Sequence, residues 1–77
     1  MNKYTYGING AIAKDGSASV DYSTDVDMSY AEARKLAAQI MVDNADEIER
    51  VVICRATDGV VDGWKEEMDL EAAAEVE

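Results

Sequence analysis

The sequence predicts an α+β fold: one helix packed on a four-stranded antiparallel sheet in the order ββαββ, followed by a short acidic C-terminal helix or tail. Three observations predict it. Turn signals at Lys14-Asp15-Gly16-Ser17 and Thr57-Asp58-Gly59 each sit between strand-like runs. Between these two hairpins, Ser29-Tyr30-Ala31-Glu32 spells a capping box and opens a stretch of helical periodicity. After Lys65 the composition turns to acid and alanine. The expected organisation is a single domain over residues 1–65 with an acidic helix or tail over 66–77.

The first strand is expected over residues 3–13, with Tyr4, Tyr6, Ile8 and Ile12 on one face and Thr5, Gly7, Asn9, Ala11 and Ala13 on the other. Gly7 and Gly10 weaken it or mark a bulge. Residues 20–28 then alternate strictly: Val20, Tyr22, Thr24, Val26 and Met28 on one face, Asp21, Ser23, Asp25 and Asp27 on the other. Same-face residues of a strand recur about every 6.6 to 6.8 Å. The aspartates therefore form a row, and no lysine or arginine between Asp15 and Arg34 neutralises it.

In the helix, Ala33, Leu36, Ala37, Ile40 and Met41 make one apolar stripe, while Glu32, Arg34, Lys35, Gln39 and Asp43 face outward. Asn44 suits a left-handed C-terminal position. The following loop carries Asp43, Asp46 and Glu47. Residues 48–56, centred on Val51-Val52-Ile53, form the most β-prone stretch of the chain, and Asp58-Gly59 returns it into residues 60–65. Strict alternation would put Trp64 on the face of Asp62; a bulge at Asp62-Gly63 would instead turn Val61 and Trp64 together toward the core. In the tail, Glu66, Glu67, Asp69, Glu71, Glu75 and Glu77 alternate with small and apolar residues. Carboxylates oppose the helix dipole at a C-terminus, so Glu75 and Glu77 are expected to fray the last turn.

Charge limits function. The chain has 77 residues, 17 acidic against 7 basic, a net charge of -10 and no histidine. Residues 1–38 carry -1 (four basic, five acidic) and residues 39–77 carry -9 (three basic, twelve acidic). Direct binding to nucleic acid or anionic lipid needs positive charge and is not expected. Neither a signal-peptide pattern nor an apolar run of membrane-spanning length is present, so a cytoplasmic protein is expected. Without histidine, the usual base at neutral pH is missing, and no enzymatic activity or cofactor is expected. Cys54 lies within Val51-Val52-Ile53-Cys54 and reads as a small core residue.

Two motifs fail on inspection. Asp21-x-x-x-Asp25-x-Asp27 suggests calcium, but an EF-hand loop counted from Asp25 needs glycine and glutamate where Tyr30 and Leu36 stand. Gly7-Ile8-Asn9-Gly10 has the GxxG form of an RNA-binding loop but lacks basic neighbours. No metal site is expected. What remains is the acid, of one sign over several elements. A duplex strand offers a phosphate about every 3.4 Å, about twice the density of one strand's carboxylates, so several elements must converge to imitate it.

In size, charge and element order the whole chain resembles the small acidic anti-CRISPR proteins of phages and mobile elements that inhibit type I effector complexes. No residue motif carries the resemblance, so no binding residue is transferred from it. It implies an inhibitor that occupies the basic DNA-binding surface of an effector in the bacterial cell. The charge pattern itself nominates Asp21, Asp25, Asp27, Asp43, Asp46, Glu47, Glu66, Glu67, Asp69 and Glu71 as partner contacts. Expected, then, is a monomeric, non-enzymatic DNA mimic. The alternative is an acidic structural, adaptor or antitoxin-like module that binds another protein through an apolar patch or a sheet edge.

Overall fold

A computed structural model describes residues 4–76, so the expected strand residue Lys3 and the expected fraying at Glu77 lie outside the described residues. The elements are β1 (Tyr4–Ala13), β2 (Ala18–Ser19), α1 (Tyr30–Asp43), β3 (Ile48–Thr57), β4 (Val60–Met68) and α2 (Leu70–Ala73). The strands form one antiparallel sheet in the order β2-β1-β3-β4, with α1 and α2 packed together on one face. This is the α+β architecture that the sequence predicts. Among the described residues no helix is long and apolar enough to cross a membrane.

Helix α1 begins where the capping box places it. The Ser29 hydroxyl accepts from the Glu32 amide at 3.1 Å, and the Glu32 carboxylate accepts from the Ser29 amide at 3.0 Å. Its buried stripe is Ala33, Ala37, Ala38 and Met41, flanked by half-buried Leu36 and Ile40. Small alanines let the helix approach the sheet, where Ile8, Ala11, Ile48, Val51, Ile53 and Met68 complete the core. Asn44 closes α1 differently from expectation. Its φ is -126°, outside the left-handed region, and its side-chain amide donates to the Ile40 carbonyl at 2.8 Å.

Gly10 corrects the predicted faces of β1. At φ +94° it breaks the register between Ile8 and Ala11. Ala11 thereby joins Ile8 in the core opposite Val51, and Ile12 passes to the far face opposite Arg50. The predicted strand over 20–28 is also corrected. Only Ala18–Ser19 pair regularly with β1. The chain then turns, with the Ser23 amide donating to Val20, and runs along β1 as an irregular extended segment. Thr24 and Ile8 exchange hydrogen bonds, and Met28 bridges Tyr6. Val20, expected on the apolar face, is 78% exposed because it stands at this turn.

Asp58 (φ 51°) and Gly59 (φ 82°) make the two-residue turn between β3 and β4, the left-handed pair that a twisted hairpin requires. β4 carries bulges at Asp62 and at Lys65. The first matches expectation in place but not in effect: Val61 and Trp64 face away from the helices, and Trp64 is 65% exposed. β4 also continues three residues past the predicted domain end at 65, and Met68 is fully buried in the core. Of the predicted tail, only Asp69 onward is separate from the sheet.

Candidate functional site

The acidic segment over residues 20–28 keeps the alternation read from its sequence without the regular strand. Asp21, Ser23, Asp25 and Asp27 are exposed, while Tyr22, Thr24, Val26 and Met28 are half-buried. Two features hold it. A Cβ on Gly7 would stand 2.9 Å from the Val26 Cα and closer still to the Asp25 carbonyl oxygen, so only a glycine lets the segment lie this near β1. On the helix side, the Tyr22 hydroxyl reaches the Asn44 side-chain oxygen at 3.4 Å.

That last bond brings two acidic elements together. Asn44 accepts at its carbonyl from both Glu47 (3.0 Å) and Ile48 (2.9 Å), ordering the loop that carries Asp46 and Glu47. The Lys14 amide donates to the Glu47 carbonyl at 3.0 Å and ties the first hairpin to the same loop. The loop after α1 therefore lies beside the Asp21 end of the acidic segment. Asp43 accepts from Gln39 at 2.9 Å, and the last turn of α1 holds no basic residue. The partial negative charge of the helix C-terminus thus adds to the field of Asp43, Asp46 and Glu47 instead of being offset.

The remaining nominated acids are placed otherwise. Glu66 points to the helix side, where it accepts from the Tyr30 hydroxyl and lies 3.5 Å from Arg34 Nε. Arg34, expected in an exposed turn, is half-buried there. Glu67 pairs with Arg50 on the opposite face. Asp69 accepts from the Ala72 amide at 2.8 Å and caps α2, with Glu71 in the first turn. Glu66, Glu67 and Asp69 make contacts that hold the fold together, while Asp69 and Glu71 stay exposed and line a groove with Lys14, Ala45 and Glu49 beside the loop after α1.

Hydrogen bonding lowers the pKa of three further acids. Ser17 holds Asp15 below the ordinary carboxylate value, and Ser29 does the same for Glu32. Asp62 is lowered by the Thr57 hydroxyl and then by Arg55, whose Nε lies 2.9 Å away. Burial pushes the Cys54 thiol up, and its Sγ lies 3.5 Å from the Gly7 carbonyl oxygen, the position of an unreactive core thiol. Among the described residues no three acids or thiols converge closely enough to hold a metal ion.

One feature escaped the sequence reading. The face turned away from the helices exposes Trp64 and Val61, paired with the small residues Cys54 and Ala56 of β3. The signal was the register shift at Asp62, which the sequence allowed but whose direction only the sheet sets.

An acidic α+β protein with one carboxylate-lined end is the class that fold and site define. No protein-family model, no curated protein and no solved structure matches the chain.

Proposed function

We propose that the protein is a non-enzymatic inhibitor that imitates nucleic acid and occupies a basic DNA-binding surface of a CRISPR effector or a similar defence complex, acting as a monomer in the bacterial cell. One observation carries this reading. Asp21, Asp25, Asp27, Asp43, Asp46 and Glu47 come from two elements tied through Tyr22 and Asn44, and none of the three ion pairs among the described residues involves them. Uncompensated carboxylates cost stability through mutual repulsion. A basic partner would relieve that cost on binding. Glu66 and Glu67 serve internal pairs and lie outside the core of the proposed interface, whereas exposed Asp69 and Glu71, beside the loop after α1, remain part of it.

The test is competition. A purified type I effector complex is bound to labelled target DNA and titrated with the wild type, with D21K/D25K/D27K and with D43K/D46K/E47K at two salt concentrations. Wild type is expected to displace DNA, and each triple variant to weaken by roughly tenfold or more, with wild-type potency falling steeply as salt rises. Indifference to both charge reversal and salt would sink mimicry. It would favour the adaptor reading, which the exposed Val60, Val61 and Trp64 on the edge strand β4 support.

A further inference from the structure

The exposed tryptophan and the acidic segment share one face of the sheet. Gly7 pairs with Cys54, and Cys54 with Trp64. Directly opposed residues of antiparallel strands project to the same side. The Cβ direction of Gly7 meets Asp25 and Val26, so one transverse row runs from the acidic segment over Gly7, across Cys54, to Trp64. With strands about 4.8 Å apart, Gly7 and Trp64 are separated by roughly 10 Å. In the adjacent row, Thr5 pairs with Ala56 and Ala56 with Val61. Gly7, Cys54 and Ala56 between the two edges are buried, with Val26 lying over Gly7. An indole 65% exposed stands at one side of this covered strip, with Asp25 and Asp27 exposed at the other.

A second copy of this chain is a poor occupant, since each copy brings a charge of -10 and like-charged faces repel. A partner that reads only duplex DNA grips phosphates and base edges through the grooves, and it offers no stacking platform for an exposed indole. Single-strand binding clefts combine a basic groove along the backbone with aromatic platforms on which bases stack.

Resting on the mimic reading above, we infer that Trp64 acts as a base surrogate, and that the partner surface is a single-strand nucleic-acid cleft in which the indole takes a stacking platform while Asp25 and Asp27 meet the cations that track the backbone. Val61, exposed in the adjacent row on the same side, would widen the apolar contact.

The test uses the full chain immobilised on a resin. Bacterial lysate is loaded, and bound protein is released at constant salt with either the single-stranded oligonucleotide dT20 or a 20-base-pair duplex. Protein released by dT20 is then bound to fluorescein-dT20 and competed with the wild type, W64A, W64F and D25K/D27K, each first shown by circular dichroism and thermal melting to be folded. Release by dT20 in preference to duplex is expected. W64A should compete about 5- to 150-fold less well, and W64F should recover most of the loss. If W64A competes as well as the wild type while D25K/D27K does not, the base-surrogate role is overturned and mimicry stands. Equal or better release by duplex overturns the single-strand assignment. Release by neither oligonucleotide removes mimicry itself. A dimer in sedimentation equilibrium that W64A dissociates puts a second copy on this face and overturns the inference.

Discussion

Gly7 lies directly beneath Asp25, so near that a methyl group on Gly7 would collide with the Asp25 carbonyl oxygen and the Val26 backbone. A strand glycine weakens a sheet locally. Here it allows an irregular acidic segment to run against β1, with Thr24 and Met28 taking up the edge hydrogen-bonding groups of Ile8 and Tyr6. Edge groups that would otherwise be open to a foreign strand are thereby used within the chain.

Substituting Gly7→Ala is expected to destabilise the protein by about 1–3 kcal/mol, the usual cost of forcing extra volume into a packed site. It should also raise hydrogen exchange at the Ile8 amide, which donates to the Thr24 hydroxyl. Urea denaturation and exchange measurements check both effects. An unchanged midpoint with unchanged protection would show that the segment does not depend on close approach.

Met68 tests where the folded unit ends. Its side chain is fully buried among core residues from the sheet and both helices. Met68→Ala is expected to cost about 2–5 kcal/mol, a large part of the 5–15 kcal/mol typical of a domain. A chain ending at Lys65 should therefore fail to give a cooperative melt. Cooperative folding of that truncated chain would restore 65 as the domain end.

Tyr30 gives a signed pH dependence. Its hydroxyl donates to the Glu66 carboxylate, and that bond, with partial burial and the nearby negative charge, raises its pKa above 10.0. The folded state thus holds the phenol proton more tightly than the unfolded state does. The associated stability is complete below pH 10.0 and is lost as pH rises through the folded pKa. The difference in urea midpoint between wild type and Tyr30→Phe should stay constant up to about pH 10 and shrink above it. A difference that persists into strong alkali would show that the bond does not bias the titration.

Added salt should stabilise this protein. Between about 0.01 M and 1 M the Debye length falls from about 30 Å to about 3 Å, which screens repulsion among the unpaired acids around Asp21–Asp27 and Asp43–Glu47. The three ion pairs among the described residues are partly exposed and are weakened by the same screening, but they are fewer than the uncompensated charges and individually small. Thermal melting over this salt range is expected to rise throughout. A flat or falling melting temperature would mean that self-repulsion is minor.

Much of the fold was legible because it rests on local rules. Ser29 and Glu32 define a helix start through bonds three residues apart. Asp58-Gly59 supplies the positive φ pair that a tight hairpin demands. Alternation from Asp21 to Met28 told which residues face solvent, and exposure follows it. The same alternation overstated regular strand, since what pairs with β1 along most of this stretch is a looped edge whose course depends on Gly7 and Gly10.

The candidate site was only half legible for a similar reason. Ten acids looked equivalent in a one-dimensional charge count. Arg34 and Arg50 select Glu66 and Glu67 as internal partners, and Asp69 becomes a helix cap. Asp21 and the loop of Asp46 and Glu47 meet instead through Tyr22 and Asn44, which are 22 residues apart in the chain.

The sequence by itself determined the order of elements, the start of α1, the second hairpin and the excess of carboxylates, because turn chemistry, capping and composition act over a few residues. Only the tertiary structure decided which carboxylates are spent on the fold, that β4 runs on to bury Met68, and which face Trp64 takes. Those outcomes depend on strand register, and register is fixed by the whole core at once: two bulges in β4 and one at Gly10 reassign faces, and no local pattern announces the side to which each residue then turns.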